Sequence, residues 1–124
     1  MALEHEDLTE KIIGAAIEVH RTLDPGFLES IYENALVIEL RKRGLEVQQQ
    51  LEIPVYYDEI QVGEHRLDIL VEKTIVVELK AVKTIESVHF AIVRSYLKAL
   101  RLRLGLILNF SATKLQPKRV MLND

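Results

Sequence analysis

Arg66-Leu67-Asp68-Ile69-Leu70-Val71-Glu72-Lys73-Thr74-Ile75-Val76-Val77-Glu78-Leu79-Lys80 is the segment from which the architecture can be read outward. Its two halves alternate and are rich in β-branched residues, so both predict strands, with Glu72-Lys73-Thr74 as the turn between them. A hairpin centred on Lys73 sets Asp68 opposite Glu78, with Cβ atoms about 5 Å apart. Side chains alternate with period two, so only an odd-length loop brings the two acids to one face. Lys80 then shares that face with Glu78, beside Leu70 and Val76. Carboxylates that close repel unless a cation lies between them, and a divalent metal is the natural candidate. The competing reading is a solvated face carrying solubility charge. It would prevail for an isolated Glu-x-Lys, and it weakens once Asp68 stands at the matching register.

Composition bounds the rest. At 124 residues and 48% hydrophobic, residues 1–124 predict a single domain with enough apolar material for a core. Charges interrupt every apolar run before it reaches the length of a membrane span. The start, Met1-Ala2-Leu3-Glu4-His5-Glu6-Asp7, is acidic and lacks an apolar h-region, so no signal peptide and a cytoplasmic location are expected. Cysteine is absent, which removes disulfides, thiolate chemistry and the usual structural zinc sites. Net charge is −3, yet the basic residues cluster as Arg41-Lys42-Arg43, as Arg94, Lys98, Arg101 and Arg103, and as Lys114, Lys118 and Arg119. Such patches bind phosphate or simply form helix ends and solvated faces, and both readings stay open.

Helical spacing of Leu8, Ile12, Ala15, Ala16 and Val19 predicts a helix over 7–22, ended by Asp24-Pro25-Gly26. A second helix is expected from about Phe27 to Arg43, with Gly44 as its stop. Leu28, Ile31, Tyr32, Ala35, Leu36 and Leu40 define its expected buried arc, with Glu29 on the inward shoulder and Glu33 one turn on and further out. Salt bridging is the commoner explanation for such carboxylates and metal ligation the rarer one. Val47 to Tyr57, with Pro54, predicts an edge strand, and Asp58-Glu59 turns it into Ile60 to Val71, with a bulge at Gly63. Ser87 is the expected N-cap of a helix reaching about Leu100. Val88, Ile92, Ser95 and Ala99 are expected to face the sheet, while Phe90, Val93, Leu97 and Leu100 form a second apolar face that predicts a homodimer contact or cover from the first helix. His89 and Tyr96 lie on the seam between those faces, and His89 is expected to be structural. Leu104 to Phe110 predicts a strand covered on both faces, and Lys118 to Leu122 a last short one. The order α-α-β-β-β-α-β-β defines an α/β (α+β) mixed sheet flanked by helices.

A helix with carboxylates, then Asp68, then Glu78-Leu79-Lys80 on adjacent strands, then a helix and an apolar strand, together resemble the PD-(D/E)XK nuclease superfamily. More narrowly, Gly26-Phe27-Leu28-Glu29-Ser30-Ile31-Tyr32-Glu33-Asn34-Ala35-Leu36, with the segments 53–57 and 104–110, is similar to the GxxExxR proteins. The resemblance covers nearly the whole chain. It implies a restriction-endonuclease-like fold and a Mg²⁺- or Mn²⁺-dependent nuclease that hydrolyses phosphodiester bonds of nucleic acid, with DNA favoured over RNA as the partner. On this resemblance Asp68 and Glu78 are metal ligands and the Leu79 carbonyl completes the shell. Lys80 positions the attacking water, and Glu29 or Glu33 is the supporting helix carboxylate, Glu29 being favoured by its inward wheel position. Tyr96, with Arg94 and Lys98, would meet the substrate. Two positions depart from the pattern: Tyr32 stands where the family name has arginine, and Ile92 where many related nucleases carry a glutamine four residues before the helix tyrosine. The second departure supports the alternative of a catalytically degenerate module that binds nucleic acid or protein as a dimer.

Overall fold

Three helices and five strands form among residues 5–122, the part of the chain described by this computed structural model. Most of the acidic start, Met1 to Glu4, lies outside the described residues. Helix α1 spans Glu6–Leu23 and α2 spans Glu29–Lys42. Strands β1 (Val47–Tyr57), β2 (Ile60–Val71) and β3 (Ile75–Lys80) form an antiparallel meander. Helix α3 (Ser87–Leu100) then crosses to β4 (Leu104–Asn109), which runs parallel to β3, and β5 (Gln116–Met121) closes the sheet antiparallel to β4. The sheet order is β1-β2-β3-β4-β5. This is the expected element order and the expected mixed sheet.

Local chemistry fixes the turns. Asp58 and Glu59, at φ 52° and 64°, make the two-residue link from β1 to β2, a conformation whose twist matches that of the strands. The register slips between Val55 and Tyr56 as Val55 pairs with Gly63 and Tyr56 with Gln61, so the bulge falls where Gly63 predicts it. Pro54 is tolerated because β1 is an edge strand. Glu72, Lys73 and Thr74 form the three-residue turn, and Val71 pairs with Ile75, Leu70 with Val76 and Ile69 with Val77.

Each face of the sheet has its own core. On one side α1 and α2 cover Ile69, Val71, Val77, Leu79, Leu106 and Leu108. On the other, Val93, Tyr96 and Leu97 of α3 pack on Leu67, Leu70, Val76 and Ile107. All six residues of β4 are buried, as a strand between two helical layers requires. Tyr32 stacks on Phe110 at 4.8 Å and 16°, and its hydroxyl donates to the Asp24 carbonyl at 2.6 Å, tying α2 to the end of α1. Burying side chains of this size contributes about 1.5–3 kcal/mol each.

Three expectations about the helices are corrected. Helix α2 begins at Glu29 instead of Phe27, and Leu28 and Ile31 are exposed, while Glu33 and Val37 join Tyr32, Leu36 and Leu40 inside. The N-cap of α3 is Glu86: its carboxylate accepts from the backbone of His89, and His89 Nδ1 accepts from Glu86 N–H at 2.8 Å. The buried face of α3 is Val93, Tyr96 and Leu97, whereas Val88 and Ala99 are exposed and Ile92 and Ser95 half-buried. Gly105 fixes that rotation. A Cβ at Gly105 would lie 2.7 Å from Val93 Cγ1 and 3.3 Å from the Val76 carbonyl oxygen, so α3 presses its valine into the gap the glycine leaves.

Candidate active site

Where the β2–β3 ladder ends, the two strands exchange backbone pairing for carboxylates. The last paired residues are Ile69 and Val77, and the register carried one step further sets Asp68 opposite Glu78. Asp68 Oδ2 accepts a hydrogen bond from Leu79 N–H at 2.9 Å, and Asp68 N–H points at Glu78 Oε1 at 3.5 Å. Lys80 Nζ lies 3.9 Å from Glu78 Oε2. The hairpin therefore brings together Asp68, Glu78 and Lys80 as its register predicts.

Burial makes this cluster electrostatically unusual. Glu78 is only 6% exposed, and desolvation with the nearby Asp68 charge pushes its carboxyl up to about 8, against which the Lys80 ammonium acts. Desolvation raises Asp68 to about 6, with Glu33 and Glu29 adding repulsion and the Leu79 amide opposing it. Burial and mutual repulsion raise both carboxyls, so at neutral pH Glu78 keeps its proton where a cation would serve. Tyr96 is pushed up to about 12 by burial and then by Glu78 and Asp68, which keeps its phenol protonated beside the acids.

Of the two expected carboxylates on helix α2, Glu33 is the buried one, and both lie close enough to Asp68 to repel it. Glu29 is exposed as the first residue of the helix, whereas Glu33 is 7% exposed. The wheel angle of Glu29 does point inward. As the first residue of the helix it is exposed nonetheless. Glu33 receives hydrogen bonds from Gln49 Nε2 at 2.6 Å and from Gln50 Nε2 at 3.0 and 2.8 Å, and Gln50 Nε2 also stands 3.5 Å from Asp68 Oδ1. The glutamines escape sequence reasoning because amides on a strand carry no motif; the run Gln48-Gln49-Gln50 is the one signal available.

Among the remaining expected site residues, Tyr96 is buried with its hydroxyl 3.5 Å from the Arg66 carbonyl. Arg94 and Lys98 are exposed, and Lys98 borders a cavity of about 690 Å³ between β1 and α3, lined also by His65 and Ser95 and away from the acid cluster. Ile92 is half-buried and brings no polar group to α3. Among the described residues no three acid or histidine side chains are disposed to hold a metal by themselves. The donor set nonetheless fits a hard divalent cation, because Mg²⁺ takes one or two carboxylates and keeps several waters, and two crowded carboxyls that retain a proton are relieved by such an ion.

Comparisons with known proteins place the chain in a family and match its fold. The family model for the PD-(D/E)XK nuclease superfamily matches residues 6–120, and the chain belongs to that superfamily. A solved structure titled "Crystal structure of SSO0001" superposes with a TM-score of 0.61 at 14% identity, covering 94% of this chain and 59% of that one, a likeness of fold. The chain thus spans about three fifths of that protein's length. No curated protein matches the sequence.

Proposed function

We propose that the protein is a metal-dependent nuclease of the GxxExxR type, contained in one domain over residues 1–124, cytoplasmic, and acting on DNA in preference to RNA. The observation that carries this reading is the convergence of Asp68, Glu78 and Lys80 where β2 and β3 part, with Lys80 Nζ 3.9 Å from Glu78 Oε2. Asp68 and Glu78, with the Leu79 carbonyl, would hold Mg²⁺ or Mn²⁺, and Glu33 in preference to Glu29 would support it from α2. Bound there, such an ion would supply a water of lowered pKa and positive charge for the phosphate. The Lys80 ammonium is placed to face charge developing on the phosphate oxygens, and Glu78 would have to be ionised to serve as a ligand. Tyr96 stays a neutral donor toward the same cleft, and Arg94 and Lys98 meet the nucleic-acid backbone as exposed cations.

Calorimetric titration of Mn²⁺ and Mg²⁺, alone and with a short DNA duplex, tests the reading with Glu78→Gln as control. Binding that disappears in the variant supports it; a wild-type protein that binds neither ion overturns it. The competing reading, a degenerate module working as a homodimer, draws on Ile92 in place of the family glutamine. It would gain from a protein that is dimeric by sedimentation and binds DNA without cutting it.

A further inference from the structure

Side chains of neighbouring strand residues point to opposite faces, yet Gln49 and Gln50 both reach the Glu33 carboxylate. The backbone explains how. Gln50 has φ 54°, a left-handed conformation inside strand β1 that residues with a Cβ rarely adopt. Strand pairing continues on either side, Gln49 with Ile69 and Leu51 with Leu67, so the break is confined to the position facing Asp68. Alternation reverses across it: Val47 belongs to the core under α1 and α2, whereas Ile53, also an odd-numbered residue, belongs to the core under α3. No glycine relieves the conformation. Strain of this kind persists where the surroundings enforce it, and it concentrates at functional sites.

We propose that Gln50 is a positioning residue, bent out of strand alternation so that one side-chain amide ties Glu33 of α2 to Asp68 of β2 and sets the spacing of the carboxylates that receive the cation. The chemistry suits the task. Carboxylates only accept hydrogen bonds, so two of them facing each other need a donor, and an uncharged NH₂ supplies two protons without competing with a cation for charge. Nε2 is 2.8 and 3.0 Å from the Glu33 oxygens and 3.5 Å from Asp68 Oδ1, tight on the helix side and slack on the strand side. That asymmetry leaves Asp68 free to turn to the ion while Glu33 stays anchored. A lysine at this place would fill the cation position itself, and a leucine would leave Glu33 dependent on Gln49 alone.

This inference rests on the metal-dependent reading, and the test separates the two. Gln50→Gly is the informative variant, since glycine keeps the left-handed backbone and deletes only the amide. Mn²⁺ affinity by calorimetry and thermal midpoint without metal are measured for wild type, Gln50→Gly, Glu33→Gln and the double variant. The expected result is roughly tenfold weaker Mn²⁺ binding in Gln50→Gly with the thermal midpoint little changed. The double variant should depart from additivity by roughly 3 °C or more. Wild-type Mn²⁺ affinity in Gln50→Gly overturns the proposal, and so does strict additivity of the two substitutions. A wild-type protein that binds no Mn²⁺, with or without a short DNA duplex, overturns the metal reading and this role together, and is recognised by being seen before any substitution.

Discussion

Glu78 is inside the sheet with Asp68 across the strand gap and Lys80 close by, so its carboxyl titrates far above the range of an exposed glutamate. The sign follows from that direction. The folded chain holds the proton more tightly than the unfolded chain, so stability is full below about 4.5 and falls as pH rises toward about 8. Glu78→Gln removes the penalty. At pH 9 without metal, the variant is expected to be more stable than wild type by on the order of 2 kcal/mol, with the difference vanishing near pH 4. Parallel denaturant titrations at the two pH values check this, and equal stability at both would show that Glu78 ionises without cost. The same variant, and Lys80→Ala, should lose cleavage by about 100-fold or more while staying folded by circular dichroism.

The contact between α3 and β4 depends on Gly105 at the element scale. Its missing Cβ accommodates Val93, which is wholly buried. Gly105→Ala is expected to lower stability by about 1–3 kcal/mol through overpacking, and Val93→Ala in the same chain should recover part of that loss. A Gly105→Ala protein with an unchanged thermal midpoint would mean that α3 slides freely on the sheet. The rotation of α3 also explains a misreading of its sequence. Val88, Ile92, Ser95 and Ala99 make a plausible stripe, yet the helix turns Val93, Tyr96 and Leu97 inward, because the close approach at Gly105 admits Val93 at that crossing point. Periodicity measures how many faces are apolar; the partner surface chooses between them.

At the scale of the whole molecule, a cation held at the acid pair as proposed would act as a ligand of the folded state alone. Mg²⁺ or Mn²⁺ should therefore raise the thermal midpoint, by an amount that grows with ion concentration. Because the Asp68 and Glu78 carboxyls are raised to about 6 and about 8, a cation bound there would have to displace the proton that Glu78 keeps at neutrality. The midpoint shift at fixed Mn²⁺ is expected to increase from pH 6 to pH 8.5. Scanning fluorimetry at several pH values measures it, and a shift that does not change with pH would separate the ion from the acid pair. No helix among the described residues is long and apolar enough to cross a membrane.

The order of elements, the three-residue turn at Glu72 to Thr74 and the pairing of Asp68 with Glu78 were all determined by local sequence. They depend on period, β-branching and loop parity, which act over a few residues. The buried run Leu104 to Asn109 was equally legible, because only a strand covered on both faces can be that apolar. Tertiary structure decided the rest. Glu33 is inside and Glu29, the first residue of α2, outside, a consequence of how the helix docks that no helical wheel contains. Gln50 joins the acid cluster because its backbone turns left-handed opposite Asp68, with its side-chain contacts seventeen and eighteen residues away in the chain. Hydrophobic patterning constrains which residues leave water; the closing of one layer on another decides which polar groups go with them, since each must find a partner once buried.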